Sequence, residues 1–368
     1  MTLYIGLMSG TSLDAIDAAI VDISDDQISV KKATDYPIPE PLKQQLLTLI
    51  SNNGGDNIEL LGDVDAQLGL LFANAVNQLL EQSDYTANDI CAIGSHGQTI
   101  RHRPDNKTPF TLQIGDAARI TELTGITTVA DFRRRDIAAG GQGAPLVPAF
   151  HRAIFASENH DRCIVNIGGM ANISFLPRNI KDATAGFDTG PGNVLLDSWC
   201  QLQTGKSFDA NGDWARSGAL SKELLNTMLQ EPYFSQPIPK STGREQFNLD
   251  WINKHLGENA IESHDVQNCL TELTARTIIE AIDIHFPQTH EIIVCGGGAY
   301  NAFLKERMQQ LSPERALLDT TSCGIDPNWV EAAAFAWLAH CCLNKIPANE
   351  PLVTGARSRV VLGAIYPK

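Results

Sequence analysis

Hydrophobic residues along this chain follow two rhythms, short unbroken runs and longer stretches at helical spacing, and the two alternate from end to end. Residues 3–8 and 15–23 are apolar runs around a turn at 9–14, which predicts an opening hairpin. Between 58 and 82, Leu61, Val64, Leu68, Leu71, Ala75, Val76 and Leu79 share one helical face, with Asp and Glu early, where a helix favours negative charge. Short strands are predicted at 90–95, 112–114 and 127–130, with a helix running from Gly115-Asp116 to Thr124. At 162–176 the strand, Gly turn, strand pattern of the opening hairpin returns as a weak echo. The next strand ends at 185–188, and a helix follows at 194–203 with Asn193 as its N-cap. Residues 231–248 form a loop rich in Pro and Ser. Residues 269–285 are a strongly amphipathic helix, and 291–295 a strand. Asn301 caps a helix at 302–311, and the helix at 329–343 is apolar on several faces. Strands alternating with helices predict an α/β protein with mainly parallel crossovers and an antiparallel hairpin opening each domain.

Length and charge narrow the picture. The chain has 368 residues, enough for two domains with separate cores. A net charge of −15 argues against nucleic acid or an anionic membrane surface as a partner. The first residues carry no positive charge ahead of their apolar run, so they read as a strand rather than a signal peptide. No window approaches the roughly 18 apolar residues of a membrane span. The eight Cys are scattered without a C-x-x-C pair, which predicts reduced, buried thiols in a cytoplasmic protein.

Three Gly-rich loops then suggest chemistry. Gly10-Thr11-Ser12, Asp188-Thr189-Gly190-Pro191-Gly192 and Gly296-Gly297-Gly298 each follow an apolar run, leaving backbone amides little shielded. Three such loops fit a nucleotide held between two domains, and so a phosphotransferase. The turn Gly10-Thr11-Ser12-Leu13-Asp14 offers amides and hydroxyls to a phosphate, with Asp14 and Asp17 as outer partners of Mg²⁺; its plain alternative is an ordinary turn. Asp188 ends a strand, where a carboxylate can take a proton from water or a hydroxyl, or simply cap its own loop. Gly190 and Gly192 lead into a helix whose N-terminus favours an anion. Gly296, Gly297 and Gly298 suit a flat ligand lying on the backbone, or close packing of helix on strand. Thr204-Gly205-Lys206-Ser207 imitates the end of a phosphate loop, but Cys200 stands where the first Gly belongs and a helix precedes it. His96-Gly97-Gln98-Thr99 with His102 matches no zinc spacing and reads as a polar substrate loop. Arg133 and Arg134 lie in the only tight basic cluster and could clamp a carboxylate. Gly140-Gly141-Gln142-Gly143 reads as a hinge between domains.

Together with Gly6–Asp14, Gly94–Thr99, Gln113–Asp116, Asp131-Phe132-Arg133, Asn166–Asn172, Gly186–Asn193, Pro239–Glu245 and Cys295–Asn301, these segments resemble the anhydro-N-acetylmuramic acid kinase family along the whole chain. The resemblance implies a two-domain α/β, actin/hexokinase/Hsp70-like (ribonuclease H-like) fold with mixed sheets and a central cleft. The expected domains are 1–134 and 135–368, the last helix packing back on the first. It also implies ATP and Mg²⁺, an anhydro amino sugar as substrate, a role in cell-wall recycling, and a homodimer. By this likeness Gly10, Thr11, Ser12, Leu13, Asp14, Ala15, Ile16 and Asp17 hold ATP phosphate, and Asp188 is the base. Glu331, with Asp14, lies at the metal. His96, Asp116, Arg133 and Arg134 are candidates for reading the sugar's lactyl and N-acetyl groups. An ordinary hexose kinase, and an ATP-binding sensor on the same fold, are the rival readings.

Overall fold

The computed structural model describes residues 1–10, 13–24, 27–51, 57–179, 182–257 and 260–368. They form two compact units, Met1–Ile154 with Trp329–Lys368, and Phe155–Asn328. The first unit thus takes in 135–154, past the expected boundary at 134, and 329–368, which includes the last helix expected to pack back on it. The strands, in chain order, are β1 Leu3–Ser9, β2 Ala15–Ser24, β3 Gln27–Pro37, β4 Ile90–Ser95, β5 Gln98–Arg103, β6 Phe110–Ile114, β7 Thr128–Ala130, β8 Arg162–Ile167, β9 Met170–Leu176, β10 Ala185–Pro191, β11 Glu291–Cys295, β12 Ala316–Asp319 and β13 Ala364–Tyr366.

The sheet of the first unit runs β13-β7-β4-β1-β2-β3. β1, β2 and β3 form an antiparallel meander, whereas β4 joins β1 and β7 joins β4 in parallel. Every residue of β1 is buried, because helices cover both faces of this central strand. On one face the Ile58–Glu81 helix presses Val64, Leu68, Phe72, Val76 and Leu79 into a core with Leu3, Ile5, Leu7 and Ile20. On the other lies the Val330–Leu343 helix, in contact with β1, β2 and β4. Gly6 and Gly94 are neighbours across β1 and β4, and a Cβ on them would collide with the carbonyls of Ala332 and Phe335. That close approach fixes where the helix begins, and so where Glu331 stands.

The sheet of the second unit runs β10-β9-β8-β11-β12. β8, β9 and β10 are an antiparallel meander; β11 joins β8 and β12 joins β11 in parallel. The Ser263–His285 helix supplies Ala275, Ile278, Ile279 and Ile282 to a core with Cys163, Val165, Ile173, Ile292 and Val294. Setting β13 aside, both sheets have the same order and the same strand senses. The weak echo between the two hairpins is therefore a duplicated ribonuclease H-like topology, the hallmark of the actin/hexokinase/Hsp70-like fold.

Several details differ from the sequence expectation. Asn193 stands at the N-cap position of its helix, but its side chain makes no capping bond and donates to the Ile167 carbonyl at 3.0 Å. The Gly140–Pro145 loop is no free hinge. The Gly143 amide donates to buried Asp136 at 2.7 Å, and Gln142 N–H to Thr354 O at 2.7 Å, all inside the first unit. All eight Cys are free, but Cys91 is exposed and Cys323 half-buried. Among the described residues no helix is long and apolar enough to cross a membrane.

Candidate active site

The first unit contributes two groups of side chains. The turn between β1 and β2 contains Gly10, with open space where a Cβ would point, and buried Leu13 at φ 57°. A bulky residue in left-handed backbone is strained, so its surroundings must enforce this turn. Thr11 and Ser12 lie outside the described residues. Ala15 and Ile16 already belong to β2, and the Ile16 side chain is core. Asp14, expected near the metal, is exposed and pairs with Lys43 at 2.6 Å. The group that does lie beside Glu331 is Asp17. Asp17 sits opposite Asp35 on β3, and its pKa is raised to about 7 by burial first, then by the charges of Glu331 and Asp35. Two carboxylates, one from a strand and one from the first turn of a helix, are thus crowded together.

The second group surrounds a cavity of about 200 Å³ lined by the carboxyl ends of β4 and β6 and the residues after β7. Ser95, His96, Gln113, Asp116, Asp131 and Arg134 are on its wall. Three buried polar atoms here, Ser95 Oγ, His96 Nδ1 and Gln113 Oε1, make no hydrogen bond of normal geometry. Such atoms cost free energy unless a ligand or water satisfies them. His96 Nε2 faces the Arg133 guanidinium, with Nε at 3.1 Å and Nη2 at 2.9 Å, while Arg133 Nη1 donates to Gly143 O at 2.8 Å. Burial, then Arg133, holds the His96 pKa well below its ordinary value, with backbone bonds to Gly97 and Ser9 opposing. The ring is neutral, its Nε2 accepts from Arg133, and its proton lies on Nδ1. Burial lowers Arg133 to about 10 against the pull of Glu331 and Asp136. Asp116 is occupied as a cap, accepting from Ala118 and Arg119 N–H at 3.1 Å and pairing with Arg119 at 2.9 Å. Arg134 is exposed and 3.4 Å from Asp131.

In the second unit Asp188 lies on β10, where the pairing to β9 slips between Asp188 and Gly190. Its Oδ2 accepts from Thr242 N–H at 3.1 Å. Its N–H donates to Lys240 O at 3.1 Å, and its carbonyl accepts from Tyr233 OH at 2.7 Å. Burial lifts Asp188 to about 6, opposed by the Thr242 bond. The Tyr233 phenol is pushed up by its own burial and by Asp188, which keeps it a donor. Neither Tyr233 nor Thr242 stood out in the sequence, although the Pro239–Glu245 motif was the available signal.

The Gly-rich loops behave unequally. Gly190, at φ 147°, leaves room for Phe234, whose ring would be 2.7 Å from a Cβ. The amides of Gly192, Asn193 and Val194 donate to Gly169, Gly168 and Gly169 carbonyls, so the helix start expected to hold an anion is closed onto the β8–β9 turn. Gly296 and Gly298 allow close packing on Asn166 and Ile167, whereas Gly297 is exposed and a Cβ on it would make only ordinary contact, 3.6 Å from Asn193 Nδ2. Gly205 ends its helix at φ 75°, an ordinary C-cap and not a phosphate loop.

Known proteins bear on this arrangement. The family model described as anhydro-N-acetylmuramic acid kinase matches residues 2–368. The anhydro-N-acetylmuramic acid kinase of Pasteurella multocida is 50% identical over 367 residues, covering 99% of this chain and 97% of that protein. Those of Coxiella burnetii (50% over 364 residues, 99% and 97% covered) and Vibrio cholerae (50% over 366 residues, 99% and 98% covered) are equally similar. The chain belongs to the anhydro-N-acetylmuramic acid kinase family.

Proposed function

We propose that this protein uses ATP to open 1,6-anhydro-N-acetylmuramic acid and phosphorylate its O6, giving N-acetylmuramic acid 6-phosphate and ADP in cell-wall recycling. Family membership over the whole chain supports the reaction. The observation that carries the residue assignment is Asp188, a buried carboxylate with one oxygen held by a backbone amide. In the anhydro sugar O6 is bonded to C1, so no free 6-hydroxyl exists. Asp188 takes a proton from the water that attacks C1. The C1–O6 bond breaks with its electron pair on O6, and O6 attacks the γ-phosphorus of ATP. Asp188 later returns its proton to solvent. Transfer of the phosphoryl group replaces the acid that glycoside cleavage otherwise needs for its leaving oxygen.

Asp17 and Glu331 are suited to Mg²⁺, which takes one or two carboxylates and leaves its other positions to phosphate oxygens and water. Burial raises the Asp17 pKa most, and the repulsion from Glu331 and Asp35 that adds to it is what a divalent cation relieves. When bound, the metal neutralises charge on the phosphates. The turn from Gly10 to Asp17 holds the phosphates of ATP. The cavity of the first unit holds the amino sugar. An acetamido group matches the cavity's unsatisfied acceptor, its N–H donating to Gln113 Oε1. Arg134 at the rim faces the lactyl carboxylate. A cytoplasmic homodimer belongs to the same proposal.

Replacing Gln113 by Leu removes that acceptor. The KM for the anhydro sugar should rise about tenfold with KM for ATP unchanged, as expected for one buried hydrogen bond. Steady-state kinetics with each substrate varied would decide this, and an unchanged sugar KM would remove the cavity from the account.

A further inference from the structure

We propose that the segment from Glu231 to Gln246 is a brace for Asp188, with Tyr233 and Thr242 as positioning residues that hold one carboxylate oxygen and present the other to the reacting water. The inference rests on the assignment of Asp188 as the base.

β10 is the edge strand of its sheet, with β9 on one side only. The backbone groups of Asp188 point off that edge, where residues 240–242 run beside it. The Asp188 N–H donates to Lys240 O at 3.1 Å, the first bond of a parallel bridge. A regular bridge would continue with Thr242 N–H donating to the Asp188 carbonyl. It does not: that carbonyl accepts from Tyr233 OH at 2.7 Å instead. The displaced Thr242 N–H donates instead to Asp188 Oδ2 at 3.1 Å. A hydroxyl has thus been exchanged for a ladder bond, and the freed amide has become a carboxylate clamp. Among the described residues nothing bonds the second oxygen, Oδ1.

The clamp is itself anchored. Tyr233 is buried against Phe247, and Lys240 Nζ donates to the carbonyls of Tyr233 and Phe234 at 3.0 and 2.8 Å. Thr242 Oγ1 donates to Gln246 Oε1 at 2.9 Å, and Gln246 Nε2 to Glu231 Oε1 at 3.1 Å. Trp251 Nε1 closes the circuit on Glu231 Oε2 at 2.8 Å. The titratable group beside Asp188 on the brace is Tyr233, and the Lys240 ammonium lies over the Tyr233 and Phe187 rings. On the Ser263–His285 helix, His285 is separated from Asp188 by the Phe187 ring, and Asn172 opposite on β9 is neutral. This gives a role to the Lys240–Glu245 motif, which the sequence left without one.

Tyr233→Phe keeps the ring and removes the hydroxyl. Thr242 N–H can then complete the bridge and release Oδ2, and a buried carboxylate without its donor binds a proton more tightly. The acid limb of kcat against pH should move up by about one unit from near 6, so that kcat falls about twofold at pH 7 and roughly tenfold at pH 5, with both KM values within about twofold. Thr242→Val, which cuts the tie to Gln246, should shift the limb the same way, and Thr242→Ser should restore most of it. This second pair decides the matter if Tyr233→Phe does not fold. An unshifted limb in the folded variants, in an enzyme that Asp188→Asn inactivates, would overturn the brace alone. A fully active Asp188→Asn would overturn the base assignment and the brace with it.

Discussion

Asp17 shows what single residues reveal when folded. In the sequence it was one of two carboxylates read as outer partners of Mg²⁺, and the family likeness placed only Asp14 with Glu331 at the metal. Only folding shows that Asp14 turns to Lys43 while Asp17 faces Glu331, a residue distant in sequence. Asp188 was legible, because an acidic residue ending an apolar run ahead of Gly-rich backbone is a strong local signal. Its partners Tyr233 and Thr242 were not, because a backbone amide and a lone tyrosine leave no pattern. The Asp17 assignment predicts a pH effect with a definite sign. Its pKa is about 7 in the fold against an ordinary 3.8, so the fold favours the protonated form. The stability it contributes is complete below about pH 4 and is lost as pH rises through 7. Asp17→Asn should therefore melt at a higher temperature than the parent at pH 8, and nearer to it at pH 4. The added stabilisation by Mg²⁺ and ATP, large for the parent at pH 8, should shrink in the variant. Thermal melts at the two pH values measure both, and an Asp17→Asn that melts lower at pH 8 and keeps its Mg²⁺ response would refute the assignment.

At the level of elements, hydrophobic rhythm found the opening hairpin, the long helix after it and the strands that enter each Gly loop. It missed β3, none of whose residues is buried and which carries Lys31, Lys32 and Asp35, so no apolar run marks it. It placed the start of the Ser263–His285 helix late, because the first turn is polar. The Val330–Leu343 helix was recognised as apolar on several faces, and its packing explains why. Two glycines, Gly6 and Gly94, bring its backbone onto the first sheet. The obstacle to a side chain there is main chain on the helix, which cannot swing aside. Gly94→Ala should cost on the order of 3 kcal/mol in denaturant unfolding. It should also weaken Mg²⁺-dependent ATP turnover, because the shifted helix carries Glu331 with it. A variant within about 0.5 kcal/mol of the parent would show that the helix packs less closely than described.

At the level of the whole molecule, one topology occurs twice, yet the two copies carry different chemistry. The first unit holds the Asp17–Glu331 pair and the polar cavity; the second holds Asp188 and its brace. The duplication was faint in the sequence because what repeats is strand order and sense, which many sequences satisfy, and not residue identity. The acidic balance, −15 over the chain, is consistent with phosphate chemistry that depends on a cation and a few placed donors and not on a basic surface. The central claim is that one carboxylate directs water to C1 while O6 receives the phosphoryl group. Turnover of 1,6-anhydro-N-acetylmuramic acid with ATP and Mg²⁺ in ¹⁸O-water, quenched before the anomeric oxygen exchanges, tests it most directly. The account predicts a 6-phosphate carrying one ¹⁸O at C1 from the parent enzyme and none of that product from Asp188→Asn. A 6-phosphate with unlabelled C1, or the labelled product formed at the parent's rate by Asp188→Asn, would contradict it.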